Sequence, residues 1–250
     1  MPRFKLTIEY DGTGYAGWQR QDNGPSIQAA VEAALKAYCQ TDIIVYVAGR
    51  TDAGVHALGQ VAHADIPRND PPEVVANALN ALLRPHPIAV ISAARAPDDF
   101  HARFSAIERA YEYRIANRRA PLALELDRAW WISHELDADA MHDAAQVLVG
   151  RHDFTSFRAV ACQADSPVRS IDELTVTRQG QDIVIRTRAR SFLHHQVRNI
   201  VGTLKAVGDG KWTRADVAAA LAARDRSKAG QTAPACGLYL ISVKYPSAQI

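Results

Sequence analysis

Segments with strand and helix patterns alternate along this 250-residue chain, and their order restricts the fold more than any other feature. Residues 3–10 alternate apolar and polar side chains, which is the period of a half-buried strand. Ser26 can cap a helix that runs to about Cys39, where apolar residues recur at helical spacing. The order βαββαβ is completed by a strand at 43–48, a strand near 60–66, a helix that opens at Pro71 and Pro72, and a strand at 88–94.

The second half of the chain repeats this order loosely. Its predicted strands are 109–117, 169–178, 183–190 and 238–245, and its predicted helices are 137–149, 192–207 and a short one capped by Thr213. We therefore predict an α+β fold of two ferredoxin-like βαββαβ halves. They form a mixed, mostly antiparallel sheet with helices on one face and a central catalytic cleft. We expect domains at 1–100 and 101–250, with the seam near Pro97–Phe104.

Composition excludes several classes of protein. Hydrophobic residues make up 48% of the chain, which is enough to form a core and excludes a disordered chain. No apolar run approaches the roughly 18 residues of a membrane span, and the N-terminus lacks an apolar signal core. Three cysteines (Cys39, Cys162 and Cys236) without a C-x-x-C pair argue against a disulfide framework and a zinc ribbon. We expect a cytoplasmic protein that does not contact a membrane.

Charge is distributed unevenly, although the net charge is only +2. Residues 1–100 carry an excess of acidic groups, whereas residues 101–250 carry an excess of basic groups that is mostly arginine. Arginine is favoured where phosphates are bound, so this asymmetry is compatible with an anionic partner. A surface covered with salt bridges would give the same composition, and charge alone leaves both interpretations open.

The segment Val47–His56 contains the most distinctive local pattern. One carboxylate, Asp52, lies between Gly49 and Gly54, and glycines permit positive φ and close approach of another backbone. Arg50, two residues away, would favour the ionised form of the carboxylate, which could then act as a nucleophile. The alternative is a polar turn in which Asp52 bonds only to its own backbone.

A second pattern lies in Ser191–Asn199, which we place on a helix. Arg198 borders the apolar stripe of this helix, and a partly buried arginine requires an anionic partner, for which Asp52 is a candidate. The neighbours His194 and His195 would point about 100° apart on a helix and so would not converge on a metal. We therefore expect no metal site.

Two strands carry groups suited to RNA. Alternation places Arg109, Tyr111 and Tyr113 on one face, where an aromatic ring and a guanidinium could stack on an unpaired base. The alternative is that the tyrosines fill a core. A row of arginines on the later strand suits a phosphate backbone, although charged residues also protect sheet edges from aggregation. The predicted RNA-backbone residues are Arg109, Arg186, Arg188 and Arg190.

Across nearly its whole length the chain resembles the TruA family of tRNA pseudouridine synthases. The segments that carry the resemblance are Glu9–Gln21, Ala48–His56, Asp99–Ala106, Asp153–Arg158, Phe192–Gly202 and Gly237–Leu240. The resemblance implies that uridine is isomerised to pseudouridine in the anticodon stem-loop, at positions 38, 39 and 40 of the tRNA. It also implies that no metal or organic cofactor is used and that the protein is a homodimer.

The same resemblance assigns roles to individual residues. Asp52 matches the catalytic aspartate of the family, whether it attacks the sugar, adds to the base or removes a sugar proton. Tyr111 matches the tyrosine that stacks on the target base, and Arg198 the arginine that pairs with the aspartate. Arg50 matches an arginine that holds the displaced nucleotide, and Leu238 or Leu240 lines the pocket. Two alternatives are a non-catalytic tRNA-binding protein and, less favoured for lack of a second carboxylate, a nucleoside hydrolase.

Overall fold

A computed structural model of the chain describes residues 1–22 and 24–246. In that part of the chain, five α-helices accompany ten strands of a mixed, mostly antiparallel sheet. This confirms the predicted α+β class and sheet type. Every described helix is too short or too polar to cross a membrane. The chain divides into two compact units: Met1–Arg109 with the segment from Tyr239 onward, and Ala110–Leu238.

The first unit has the predicted order of elements. Its elements are β1 (Arg3–Tyr10), α1 (Ile27–Cys39), β2 (Tyr46–Val47), β3 (His56–Asp65), α2 (Pro72–Leu82), β4 (Ile88–Ala96) and, except for its first residue, β10 (Leu238–Lys244). The strands lie in the order β4-β1-β3-β10, and β2 also pairs with β3. Every second side chain of β1 is buried, as the alternation predicts, and Ser26 Oγ caps α1 by accepting the Ala29 N–H at 3.2 Å.

Strands β2 and β10 share one edge of β3. Strand β2 is antiparallel to β3, and its Tyr46 lies opposite His63 near the end of β3. Strand β10 is parallel to β3, and its Tyr239 lies opposite His56 at the start of β3. The predicted strand at 43–48 shrinks to two residues, because the Val45 N–H donates to Glu32 Oε1 at 3.2 Å instead of to a strand. The loop between β2 and β3 is therefore the segment that carries Asp52.

The second unit holds the remaining elements. These are β5 (Glu108–Asn117, from Ala110 on), β6 (Trp130–Ile132), α3 (Ala138–Ala145), β7 (Gly150–Asp153), β8 (Val168–Gln179), β9 (Asp182–Ala189), α4 (Gln196–Gly208) and α5 (Arg214–Ala223). Its strands lie in the order β5-β9-β8-β7, and β6 pairs in parallel with β5. The short strands β6 and β7 were absent from the prediction. The three cysteines are partly buried thiols.

Helix α4 begins four residues later than predicted. His195 has a positive φ of 60°, which ends the preceding loop in a left-handed conformation. The side chain of Gln196 then turns back, and its Oε1 accepts the Leu193 N–H at 2.8 Å. The helix pattern read from Phe192 onward is therefore wrong over its first turn, and both His194 and His195 precede the helix.

Candidate active site

The loop that carries Asp52 is hydrogen-bonded to the segment that follows β1. The Trp18 N–H donates to the Thr51 carbonyl at 3.0 Å, and the Gly54 N–H donates to the Tyr15 carbonyl at 3.3 Å. Trp18 is itself buried. These bonds hold the residues on both sides of Asp52, so its backbone has a fixed position within the first unit.

A buried polar network supports the same loop from below. The hydroxyls of Tyr10 and Thr51 lie 2.7 Å apart, and Gln60 Nε2 donates to the Gly49 carbonyl at 2.8 Å and to Tyr10 Oη at 3.3 Å. Burial raises the pKa of Tyr10 to about 12, so its hydroxyl is neutral at physiological pH and can donate to Thr51. Thr51 and Gln60 were not predicted as site residues, because neither belongs to an ionisable motif.

Two glycines after β1 allow the loop to approach closely. A Cβ on Gly12 would lie 2.1 Å from the Val55 carbonyl oxygen, and one on Gly17 would lie 2.5 Å from the Thr51 carbonyl oxygen. Gly17 also has a φ of +99°, which side chains rarely adopt. Of the two glycines singled out in the loop itself, Gly54 has a positive φ of 75°, whereas a Cβ on Gly49 would meet open space.

The two charged residues of the loop differ in exposure. Asp52 is half-buried, and Arg50 is exposed. A carboxylate on a fixed backbone, partly shielded from water, is suited to covalent or acid–base chemistry, because little reorganisation is needed when substrate binds. The geometry of the first unit therefore presents Asp52 as a positioned reactive group.

In the second unit, the two tyrosines of β5 have different environments. Tyr111 is half-buried, and its ring meets Phe192 edge to face with centroids 5.2 Å apart. Tyr113 is fully buried and donates its hydroxyl to the Pro234 carbonyl at 2.8 Å. Burial raises the pKa of Tyr113 above its ordinary value. Tyr113 therefore fills the core, while Tyr111 retains an accessible part.

Arg198 lies in the first turn of α4, and the protein backbone holds its guanidinium. Its Nε donates to the Ala233 carbonyl at 2.8 Å, and the Ala233 N–H donates to the Arg198 carbonyl at 3.1 Å. Asn199 anchors the same turn by donating to the Phe157 carbonyl at 2.8 Å. A Cβ on Gly202 would lie 1.8 Å from the Gln231 carbonyl oxygen, so this glycine lets the segment 231–233 pack on the helix.

The arginines assigned to RNA have unlike surroundings. Arg186 and Arg188 are solvent-accessible and form ion pairs with Glu112 at 2.9 Å and Glu173 at 2.6 Å. Arg190 is exposed at the end of β9. Arg109, in contrast, is buried in the first unit, and its guanidinium donates to three backbone carbonyls, those of Ala48, Arg103 and Ala106. Its burial differs from the exposed position expected of a phosphate-binding residue.

A model of the tRNA pseudouridine synthase family matches residues 6–105 and 144–246 of this chain. The chain belongs to this family. It is similar to tRNA pseudouridine synthase A of Rhodopseudomonas palustris (62% identical over 245 residues, covering 98% of this chain and all of that protein). The protein of the same name in Rhodospirillum rubrum is 61% identical over 246 residues, covering 98% of this chain and 88% of that one. The chain is thus an isomerase that makes pseudouridine.

Leu238 and Leu240 of this synthase are both buried. Leu238 opens β10, and Leu240 pairs with Ala57 of β3. The imidazole rings of His194 and His195 lie 4.0 Å apart, so the argument that they must diverge on a helix is wrong.

Proposed function

We propose that this synthase isomerises uridines in the anticodon stem-loop of tRNA and that Asp52 is its catalytic carboxylate. The observation that carries the proposal is the fixed loop around Asp52, which lies within the part of the chain that matches the family. A fixed loop backbone supports a role in which the Asp52 carboxylate acts on one atom of the bound uridine.

The reaction is an internal rearrangement that consumes no second substrate. The N1–C1′ bond of uridine breaks, the uracil rotates, and C5 bonds to C1′ while the C5 hydrogen leaves to solvent and N1 gains a proton. Asp52 serves this sequence as a nucleophile at C1′, as a nucleophile on the base, or as a base that removes a sugar proton. A stacked uridine must first leave the helix, which costs a few kcal/mol and requires a pocket.

We infer that four side chains bind the extruded uridine. The ring of Tyr111 stacks on the base, supported by its edge-to-face contact with Phe192. Arg50 and Arg198 hold the nucleotide through its anionic groups, and Leu238 contributes an apolar wall. Phosphates along the tRNA backbone are bound by three solvent-accessible arginines: Arg186, Arg188 and Arg190. We also propose that the protein is a cytoplasmic homodimer.

An unmodified tRNA transcript incubated with purified protein tests this proposal. Pseudouridine does not change the mass of RNA, so a carbodiimide that tags it is applied before mass spectrometry. We expect a tag confined to the anticodon stem-loop with wild type and with Asp42→Asn, an exposed carboxylate of the same unit, and no tag with Asp52→Asn. A tag in another arm contradicts the proposed specificity, and an active Asp52→Asn variant contradicts the proposed catalyst. Sedimentation at micromolar protein distinguishes a dimer from a monomer.

A further inference from the structure

The second unit contains a polar cavity of about 350 Å³. None of the residues assigned to the target uridine lines it. Arginine and serine side chains dominate its lining: Arg151, Arg169, Arg190, Ser166, Ser170 and Ser191. Among the described residues that line it, none is acidic. Guanidinium and hydroxyl groups donate hydrogen bonds, so the cavity is built for a ligand rich in acceptors and negative charge.

Strand pairing brings these side chains together. Strand β7 pairs with β8 so that Arg151 lies opposite Ser170 and His152 lies opposite Arg169. Ile171, which follows Ser170 in β8, lies opposite Ala189, the last residue of β9. Arg190 follows directly and therefore lies beside the same end of β8. The cavity is therefore held by the ends of three hydrogen-bonded strands.

Arg169 is held so that one of its donors needs an external acceptor. Its Nη1 donates to the carbonyls of Ser166 at 2.9 Å and Val168 at 2.7 Å. Its Nε is buried and has no hydrogen-bond partner among the described residues. A buried donor left without an acceptor destabilises the protein, so an acceptor bound in the cavity would recover that loss.

The serines are also arranged to donate. Ser166 Oγ accepts the Val168 N–H at 3.2 Å, which fixes the hydroxyl while leaving its hydrogen available. Ser170 is exposed at the rim. The Ser166 hydroxyl beside guanidinium groups matches the oxygen atoms of a phosphate, which accept from several directions.

We propose that this cavity binds a phosphodiester group of the tRNA backbone. The proposal rests on the proposed function, because it assigns the anion to the same RNA substrate. Arg190 is already assigned to the tRNA backbone, and the cavity adds Arg151 and Arg169 to it. These two differ from Arg186 and Arg188, whose charges are partly neutralised by Glu112 and Glu173. Arg151 and Arg169, in a cavity with no carboxylate among its described lining residues, give a phosphate stronger attraction than an exposed ion pair does.

The test compares Arg151→Gln and Arg169→Gln with Arg119→Gln, which removes the same charge from an exposed position of the same unit outside the cavity. We expect Arg151→Gln to weaken tRNA binding several-fold and to reduce the slope of log Kd against log salt by about one. The single-turnover rate at saturating tRNA should stay unchanged, and Arg119→Gln should leave Kd near wild type. Arg151→Gln provides the readout if Arg169→Gln fails to fold.

Unchanged tRNA affinity of a folded Arg151→Gln variant would overturn the proposal. Inorganic phosphate separates the two sources of the anion. Phosphate that raises the Tm of wild type but not of Arg151→Gln, with tRNA binding unaffected by the substitution, would assign the cavity to a small phosphate and also overturn it. Failure of the proposed function is distinguishable, because it appears as a carbodiimide tag in another arm of the tRNA or as an active Asp52→Asn variant.

Discussion

At the scale of single residues, the loop of Asp52, the carboxylate proposed as catalytic, is supported by neutral polar neighbours. Thr51 precedes Asp52 and is buried, and its hydroxyl lies 2.7 Å from that of Tyr10. Because burial raises the pKa of Tyr10 to about 12, its hydroxyl stays neutral at physiological pH. The residue before Asp52 is therefore held by a hydrogen bond that does not titrate near neutrality.

The Tyr10–Thr51 contact predicts a measurable coupling. Thr51→Val and Tyr10→Phe should each lower the free energy of unfolding by about 1–2 kcal/mol, since each leaves a buried hydroxyl with fewer partners. The double variant should lose less than the two single losses together, as expected for residues in direct contact. Urea denaturation of the four proteins measures the cycle, and strict additivity would contradict the assigned bond.

His63 makes the free energy of unfolding depend on pH. Its Nδ1 accepts the Ala102 N–H at 3.1 Å. Burial, together with the charges of His101 and Arg3, lowers the pKa of His63 to about 4, although the charge of Asp65 opposes this shift. The unfolded chain, with a histidine pKa near 6.5, thus binds more protons between pH 6.5 and 4. Stability is therefore complete above pH 6.5 and falls as the pH drops towards 4.

His63→Gln tests this dependence, because the amide oxygen of glutamine can still accept the Ala102 N–H. We expect the variant to lose less stability than wild type between pH 6.5 and 4 in urea titrations. His134→Gln removes an exposed histidine of the other unit and serves as the control. Parallel stability curves for wild type and His63→Gln would refute the assigned role.

At the scale of elements, local patterns predicted the strands and helices but not where long-range pairing extends them. The alternation in β1 and the Ser26 cap of α1 are local, and the structure has both. Strand β3 starts at His56 instead of residue 60, because Tyr239 of the distant strand β10 pairs with it there. No nearby residue carries that information.

The candidate site follows the same rule. A lone carboxylate between glycines identified the Asp52 loop, because its pattern is local. The close approach of Gly12 and Gly17 to the loop depends on contacts about 35 to 45 residues away along the chain, and so does the Tyr10–Thr51 bond. In the second unit's cavity, Arg190 was predicted as an RNA-backbone residue, whereas Arg151, Arg169 and the serines were missed because β7 was not predicted.

The packing of the loop predicts that Gly17→Ala is damaging. The new Cβ would clash with the Thr51 carbonyl, and the positive φ would be strained, so we expect a loss of at least about 2 kcal/mol and a lower rate of pseudouridine formation. Gly49→Ala lies in the same loop but meets open space, and it should leave both unchanged. Thermal unfolding and product assays measure the pair, and equal behaviour of the two variants would contradict this packing.

At the scale of the whole molecule, the weak net charge of +2 conceals an uneven distribution. The basic excess lies in the second half of the chain, where β9 presents Arg186 and Arg188 to solvent. RNA binding through such groups releases counterions, so affinity should fall as salt increases. In the proposed assignment of β9 to the tRNA backbone, the ion pairs of Arg186 and Arg188 to Glu112 and Glu173 are exchanged for contacts to phosphate.

We expect log Kd for tRNA to rise linearly with log salt and the slope to fall by about two in the double variant Arg186→Gln, Arg188→Gln. The matched control is Arg20→Gln with Arg68→Gln, which removes two ion-paired arginines of the first unit. Filter binding at several salt concentrations gives the slopes. Equal slopes for the two double variants would refute the assignment of β9 to RNA.

The most direct test of the central claim is the rate of tritium release from tRNA labelled at C5 of uridine. The C5 hydrogen leaves only when C5 bonds to C1′, so release reports the isomerisation itself. We predict that Asp52→Asn slows single-turnover release by at least about a thousandfold. Its Tm and its Kd for tRNA should stay near those of wild type and of Asp42→Asn. Release within tenfold of wild type by a folded Asp52→Asn protein would contradict the account.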